Sequence, residues 1–386
     1  LKKLGVKIKK IKPKNYLIFG KGIGSLFIKK NSSLNFGNSG TLARLLIGIL
    51  STTPNIEIKM RGDESLNKRS MKELIQLMSK FGTLFAPKNR INFPLKLISS
   101  EMPTAIDYKA GVSAQLKSAV ILAGLNANGH TTILEQKNSR DHTEKMLLRN
   151  SHVIKIQNKK KKLIKIIGKR QLKPINISVP NDPSSAAFFT ALTLIKKDSS
   201  IKIKNVGLNR TRVGFYELLK KHGANIKFEN LKKQNNEIKG NIIVKSSKMR
   251  PIQGSENYYV NSTDEYPILF VIASFIKGVS IFKGIKDLAN KESNRISEMQ
   301  KVLKQIGIKT IASKNKIKIY GSKVISSNKK IFVPNLGDHR ICMSAFILAI
   351  LTGTKTRINN FETVFTSSPS FLKIMKNLGA KFEIQK

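Results

Sequence analysis

The chain is 386 residues long, 40% hydrophobic, and carries 71 Lys and Arg against 23 Asp and Glu, a formal net charge of +48. That length allows two domains with sizeable cores, and the single cysteine, Cys342, excludes an internal disulfide and a cysteine-built metal cage. No apolar run reaches about 18 residues, so no transmembrane helix is expected, and the lysines are dispersed among Ile and Asn rather than gathered in a stripe, which favours AT-rich coding over a nucleic-acid surface.

The chain opens on the tail of an amphipathic helix, Leu1-Lys2-Lys3-Leu4, stopped by Gly5 ahead of a short strand. A glycine at that place suits a left-handed helix end. The same sequence of helix, small residue and strand returns at 77–82, 147–154, 218–226, 302–308 and 374–382. The spacing of about 70–85 residues is too long for a solenoid and fits a repeated α/β unit.

Between these copies lies a second kind of helix, apolar nearly all round and therefore expected to be buried. Copies begin near Gly40, Ser113, Pro183, Asp264 and Asp338. The first follows Gly37-Asn38-Ser39-Gly40-Thr41, where glycines let a ligand approach the backbone and the first helical turn offers unpaired N–H groups to an anion. Asp182-Pro183-Ser184-Ser185 reads as an ordinary cap followed by proline at the first helical position. Arg44 and Arg340 stand near helix starts, where the macrodipole opposes a cation, so an anionic ligand is expected to complete the site.

The amphipathic helices open on charged clusters at Gly62–Arg69, Ser139–Glu144 and Lys291–Arg295. Each holds an arginine, whose fork suits phosphate and carboxylate. With Asp264 and Glu292 added, the set points to a multiply charged anion handled by acid–base groups. The two kinds of helix alternate strictly, six of the first and five of the second, so one buried helix is expected upstream of Leu1. Six units imply two domains of three, residues 1–177 and 178–386.

Seven motifs in register resemble one family: Gly37-Asn38-Ser39-Gly40-Thr41, Gly62-Asp63-Glu64-Ser65-Leu66, Ser113-Ala114-Gln115-Leu116-Lys117-Ser118-Ala119, Ser139-Arg140-Asp141-His142-Thr143-Glu144, Asp264-Glu265-Tyr266-Pro267, Lys291-Glu292-Ser293-Asn294-Arg295 and Asp338-His339-Arg340. The chain closely resembles the EPSP synthases, 3-phosphoshikimate 1-carboxyvinyltransferases, in their bacterial class II form. The resemblance implies an α/β protein of two domains, each of three βαβαββ units, closing on a cleft, with the first unit here incomplete. It implies transfer of the enolpyruvyl group of phosphoenolpyruvate to the 5-hydroxyl of shikimate 3-phosphate by a cytoplasmic monomer, with no cofactor, no metal, no nucleic acid and no membrane partner.

Carried over by motif, Gly40, Arg69, Gln115, Arg295 and Arg340 would bind phosphoenolpyruvate. Ser113, Gln115, Arg140, Asp264 and Lys291 would bind shikimate 3-phosphate. Asp264 would hold the attacking hydroxyl and accept its proton, and Glu292 would handle the proton at the methylene carbon. Three departures, Leu45, Ser70 and Asn294, are tolerable changes. The family's Lys-Ser-x-Ser-His-Arg segment has no counterpart, so the chain is expected to lack an N-terminal part and to turn over negligibly, with the full-length protein active. Family-like phosphate release by this chain would sink that expectation. Three rivals stay open: the sibling enzyme acting on UDP-N-acetylglucosamine, which usually carries a cysteine on a mobile loop of its first domain, a basic nucleic-acid-binding protein without enzymatic activity, and an inactive remnant of the enzyme.

Overall fold

One supersecondary pattern, repeated with variations, builds the chain. The computed structural model describes residues 1–29, 32–158, 161–322, 325 and 330–385, and divides into two compact units, Leu1–Ser178 and Val179–Lys386.

In the first unit, strands β1 (Lys7–Lys12) and β2 (Asn15–Phe19) form an antiparallel hairpin. Strand β3 (Ser33–Asn35) then leads into helix α1 (Gly40–Ser51), and the chain returns as β4 (Glu57–Arg61), parallel to β3. Helices α2 (Glu64–Lys68) and α3 (Lys72–Lys80) follow, and the antiparallel pair β5 (Leu84–Ala86) and β6 (Leu95–Ile98) completes a sheet of order β3-β4-β6-β5. Strand β7 (Asp107–Ala110), helix α4 (Ala114–Gly124), β8 (His130–Glu135), helix α5 (His142–Leu147), β9 (Ile154–Asn158) and β10 (Lys162–Ile167) repeat it as β7-β8-β10-β9. A parallel pair needs a crossover, which the buried helix supplies.

The second unit uses the same order. Helix α6 (Pro183–Ile195), β11 (Ser200–Gly207), helix α7 (Gly214–Lys221), β12 (Asn225–Gln234) and β13 (Glu237–Lys245) give the sheet β11-β13-β12, with Asn181 bridging Val206 in parallel where a first strand would pair. Strand β14 (Gln253–Gly254), helices α8 (Glu256–Ser262) and α9 (Tyr266–Ser274), β15 (Gly278–Lys283), helix α10 (Arg295–Gln305), β16 (Thr310–Ser313) and β17 (Lys316–Gly321) form β14-β15-β17-β16. Strand β18 (Ile331–Val333) pairs in parallel with β19 (Thr356–Ile358) across helix α11 (His339–Thr352), and helix α12 (Phe371–Asn377) follows.

The helices sort as their patterns predict. Every residue of α9 is buried, and α4, α6 and α11 are buried over most of their length, whereas α3, α7 and α10 bury one face each. Amphipathic helices hand over to strands through left-handed glycines, as at Gly82 (φ 92°) and Gly307 (φ 80°). Two expected helix starts move. Helix α9 begins at Tyr266, so Asp264 lies in the preceding 3-10 turn rather than at a cap, and α10 begins at Arg295 behind an Asn294 cap, leaving Lys291 and Glu292 in the approach. Among the described residues no helix is long and apolar enough to cross a membrane.

The first unit's core centres on the pair α1 and α4. A Cβ added at Gly48 would lie 2.5 Å from the carbonyl oxygen and 2.8 Å from the Cα of Ala119, so the helices touch backbone to backbone. Neither atom can retreat without moving a helix. Gly48→Ala is expected to cost about 1–3 kcal/mol by overpacking, read as a lowered urea midpoint with unchanged slope. A midpoint equal to that of the unsubstituted protein would mean the contact is softer than it looks.

Candidate active site

The first unit gathers its candidate residues at the starts of α1 and α4. Ser39 caps α1, its hydroxyl accepting the Leu42 N–H at 3.1 Å, and Gly40 is the first, buried residue. Arg44, one turn on, donates from Nη1 to Gln115 Oε1 at 2.9 Å, and Gln115 Nε2 donates to Thr41 Oγ1 at 2.7 Å. Gln115 thus ties the first turns of the two helices together. Arg69, just beyond α2, reaches back to Asn38 Oδ1 at 2.9 Å. A Cβ at Gly40 would stand 2.8 Å from Arg44 Nη1 and 3.3 Å from Arg69 Nη1. Only hydrogen at that position leaves both guanidinium groups beside the helix start.

Ser113 caps α4, its hydroxyl accepting the Leu116 N–H at 3.4 Å. Arg140 lies half-buried in the connection between β8 and α5. Its neighbour Ser139 is fixed by the Glu135 carboxylate, which accepts both the Ser139 N–H (2.8 Å) and its hydroxyl (2.7 Å).

The second unit builds a tighter group around Arg295, only 1% exposed. Its Nε donates to Asp338 Oδ2 at 2.9 Å, its Nη2 donates to Glu292 Oε2 at 2.6 Å, and Nη1 stands 3.7 Å from Asp264 Oδ1. One buried cation therefore brings both candidate acid–base carboxylates together. Asp338 is fully buried and also caps α11, accepting the Arg340 N–H at 2.9 Å and the Ser293 hydroxyl at 2.9 Å. Burial alone would raise its carboxyl, but the Arg295 charge and hydrogen bonds hold it below the ordinary aspartate value. Arg295 answers in kind: burial opposes its charge, and the three carboxylates raise its pKa above the usual arginine value.

Arg340 is buried over the Phe188 ring, 5.9 Å from its centroid, and neither Nε nor Nη1 finds a hydrogen-bond partner among the described residues. A buried guanidinium with idle donors is costly unless something anionic arrives. His339 beside it is pushed down to about 4 by burial and by the Arg340 and Arg295 charges, so it is neutral at pH 7. Lys291 pairs with Asp287 at 2.5 Å, and Tyr259 donates to the same carboxylate at 3.1 Å. Cys342 sits inside α11, where burial pushes its thiol up to about 12, far from a nucleophile's range.

Some of this goes beyond what the sequence motifs single out. Asp338 reads locally as a helix-start residue, with no sign of its hold on Arg295. Arg212, outside the motifs, donates to Asp182 Oδ1 at 2.7 Å and to Ser184 Oγ at 2.8 Å. The buried partners of Lys117 also lie outside the reading, although a lysine within a helix apolar on every side signals a need for carboxylates.

A family model described as EPSP synthase (3-phosphoshikimate 1-carboxyvinyltransferase) matches residues 1–375. The 3-phosphoshikimate 1-carboxyvinyltransferase of Paramagnetospirillum magneticum is 34% identical over 384 residues, spanning 99% of this chain and 85% of that protein. The enzyme of the same name from Petrotoga mobilis is 38% identical over 98% of this chain and 87% of its own length. The solved EPSP synthase of Acinetobacter baumannii superposes with a TM-score of 0.82 at 32% identity, covering 100% of this chain and 87% of that one. An enolpyruvyl transferase from Streptomyces tendae reaches a TM-score of 0.74 at 13% identity over 98% of this chain and 84% of its own, a likeness of fold alone.

Proposed function

The chain belongs to the EPSP synthase family, and from that premise we propose which residues carry its reaction. The activity is enolpyruvyl transfer from phosphoenolpyruvate to the 5-hydroxyl of shikimate 3-phosphate, with release of phosphate, in the shikimate pathway. The observation that carries the assignment is the placement of Asp264 and Glu292 around the buried guanidinium of Arg295.

In this reading Glu292 delivers a proton to the methylene carbon of phosphoenolpyruvate, which makes the neighbouring carbon cationic. The 5-hydroxyl attacks that carbon and Asp264 takes the hydroxyl proton. The tetrahedral intermediate then returns a methyl proton to Glu292 and expels phosphate, re-forming the double bond as an enol ether of the acceptor's 5-oxygen. Proton transfers by positioned carboxyls are worth roughly 10²–10⁴ in rate. The phosphate and carboxylate of phosphoenolpyruvate go to Arg69 and Arg340, to the remaining nitrogen of Arg295, and to the first turn behind Gly40, with Gln115 at hand. Shikimate 3-phosphate goes to Ser113, Gln115, Arg140, Asp264 and Lys291. Fixed cations and helix N–H groups oppose little reorganisation to the developing charge. The protein acts as a cytoplasmic monomer on two small anions, which its high positive charge draws in.

Phosphate release that needs both phosphoenolpyruvate and shikimate 3-phosphate tests the reading; release that instead needs UDP-N-acetylglucosamine overturns it. Gly40→Ala is a finer test. The new methyl comes too close only to the far ends of Arg44 and Arg69 and makes an ordinary contact with Leu66 Cδ1 at 3.6 Å, so the fold is kept while the guanidinium groups are displaced. The expected result is a KM for phosphoenolpyruvate raised roughly tenfold, equivalent to about 1.4 kcal/mol, with the unfolding midpoint nearly unchanged. An unaltered KM would remove Gly40 from the substrate site.

A further inference from the structure

Three buried charged side chains of the first unit, Lys117, Glu135 and Glu144, and the half-buried Lys162 take no part in those assignments. Lys117, fully buried on α4, places Nζ 2.7 Å from Glu135 Oε1 and 2.7 Å from Glu144 Oε1. Lys162 on β10 closes the square, 3.3 Å from Glu135 Oε2 and 3.3 Å from Glu144 Oε1. Two cations and two anions cancel. Burial opposes the charge of Glu135, but the hydrogen bond and charge of Lys117 outweigh it and keep the carboxyl below its ordinary value. Such a group is a poor way to gain stability, because taking four charges out of water costs about what their attraction returns, and apolar replacements often fold at least as well. Its use is therefore to be sought in what it holds in place.

Each member stands on a different element: α4, the end of β8, α5 and β10. The Glu135 oxygen that meets Lys117 also takes both donors of Ser139, the residue before Arg140. One helical position further along α4, Ser118 and Thr143 share a hydrogen bond at 2.8 Å, a second tie between α4 and α5. The quartet thereby fixes the start of α4, which carries Ser113 and Gln115, relative to the connection that carries Arg140.

We propose that Lys117 and Glu135, with Glu144, are positioning residues that set the spacing between Ser113, Gln115 and Arg140, and through it the affinity for the phosphorylated acceptor. This rests on the assignment of those three to shikimate 3-phosphate. Bidentate and capped contacts to a rigid anion tolerate little displacement, so lost register appears as lost acceptor affinity.

The test is calorimetric titration of shikimate 3-phosphate into the protein, Lys117→Met, Glu144→Gln and the double variant, with unfolding midpoints recorded in parallel. Each single change is expected to raise the dissociation constant at least tenfold, and the double change to be no worse than the worse single one, because both cut the same tie. In turnover, KM for shikimate 3-phosphate rises while kcat at saturation stays within about threefold. Folded single variants that bind like the unsubstituted protein overturn the proposal, as does a fall in kcat matching the rise in KM, the mark of a merely structural role. Glu144→Gln keeps shape and an acceptor, so it carries the test if Lys117→Met does not fold. If the unsubstituted protein itself does not bind shikimate 3-phosphate, the substrate assignment fails rather than this one.

Discussion

Arg295→Met will unfold the second unit at a temperature on the order of 10 °C lower than the unsubstituted protein. The methionine fills much of the same space, but it leaves Asp338 fully buried without its guanidinium partner, holding among the described residues the hydrogen bonds from the Ser293 hydroxyl and the Arg340 N–H, and it takes the Arg295 charge away from Glu292 and Asp264. Removing one partner of a buried pair costs about 3–5 kcal/mol, and each kcal/mol moves the midpoint of a domain of this size by roughly 2–4 °C. The pH dependence gives the sign. The folded carboxyl of Asp338 lies below its unfolded value. Its contribution is therefore whole above the unfolded aspartate pKa of about 3.9 and is lost as pH falls through the lower, folded one. The variant has no such contribution to lose. The gap between the two proteins, measured by calorimetry, should be full at pH 7 and narrow below about pH 4. A constant gap down to pH 3, or none at pH 7, would contradict the account of Asp338.

Glu292→Gln should instead leave the fold alone and remove turnover. Its amide oxygen can still accept from Arg295 Nη2, where the carboxylate now does so at 2.6 Å. What disappears is a group able to give and retake a proton. Phosphate release is expected to fall roughly 10²–10⁴-fold, with affinity for shikimate 3-phosphate within about threefold and the midpoint within a few degrees. Retention of a tenth or more of the activity would show that Glu292 serves only to balance Arg295.

The sequence made the architecture readable because its two kinds of helix differ in pattern. Helix α9 is apolar on every side and is buried on every side, whereas α3 and α7 alternate and bury one face. The candidate residues were legible where charge stood against expectation, as with Arg340 at a helix start. Shorter features were not. Strand β14 has two residues and no periodicity to read. Asp264 was placed at a helix start because a 3-10 turn running straight into α9 leaves no punctuation between them. The second duty of Asp338 was hidden because a cap is visible locally, while its partner Arg295 lies 43 residues away. The Lys117 quartet joins four elements, and nothing local links a lysine in one helix to glutamates beyond the next turn.

The bridge from Gln115 to Arg44 and Thr41 couples the first turns of α1 and α4, which are already pressed together at Gly48 and Ala119. On the proposed assignment one helix start faces each substrate. A ligand that draws Gln115 toward itself therefore changes what Arg44 offers to the other. Thermodynamic linkage makes that influence reciprocal: whatever factor the acceptor adds to the affinity for phosphoenolpyruvate, phosphoenolpyruvate must return to the acceptor unchanged.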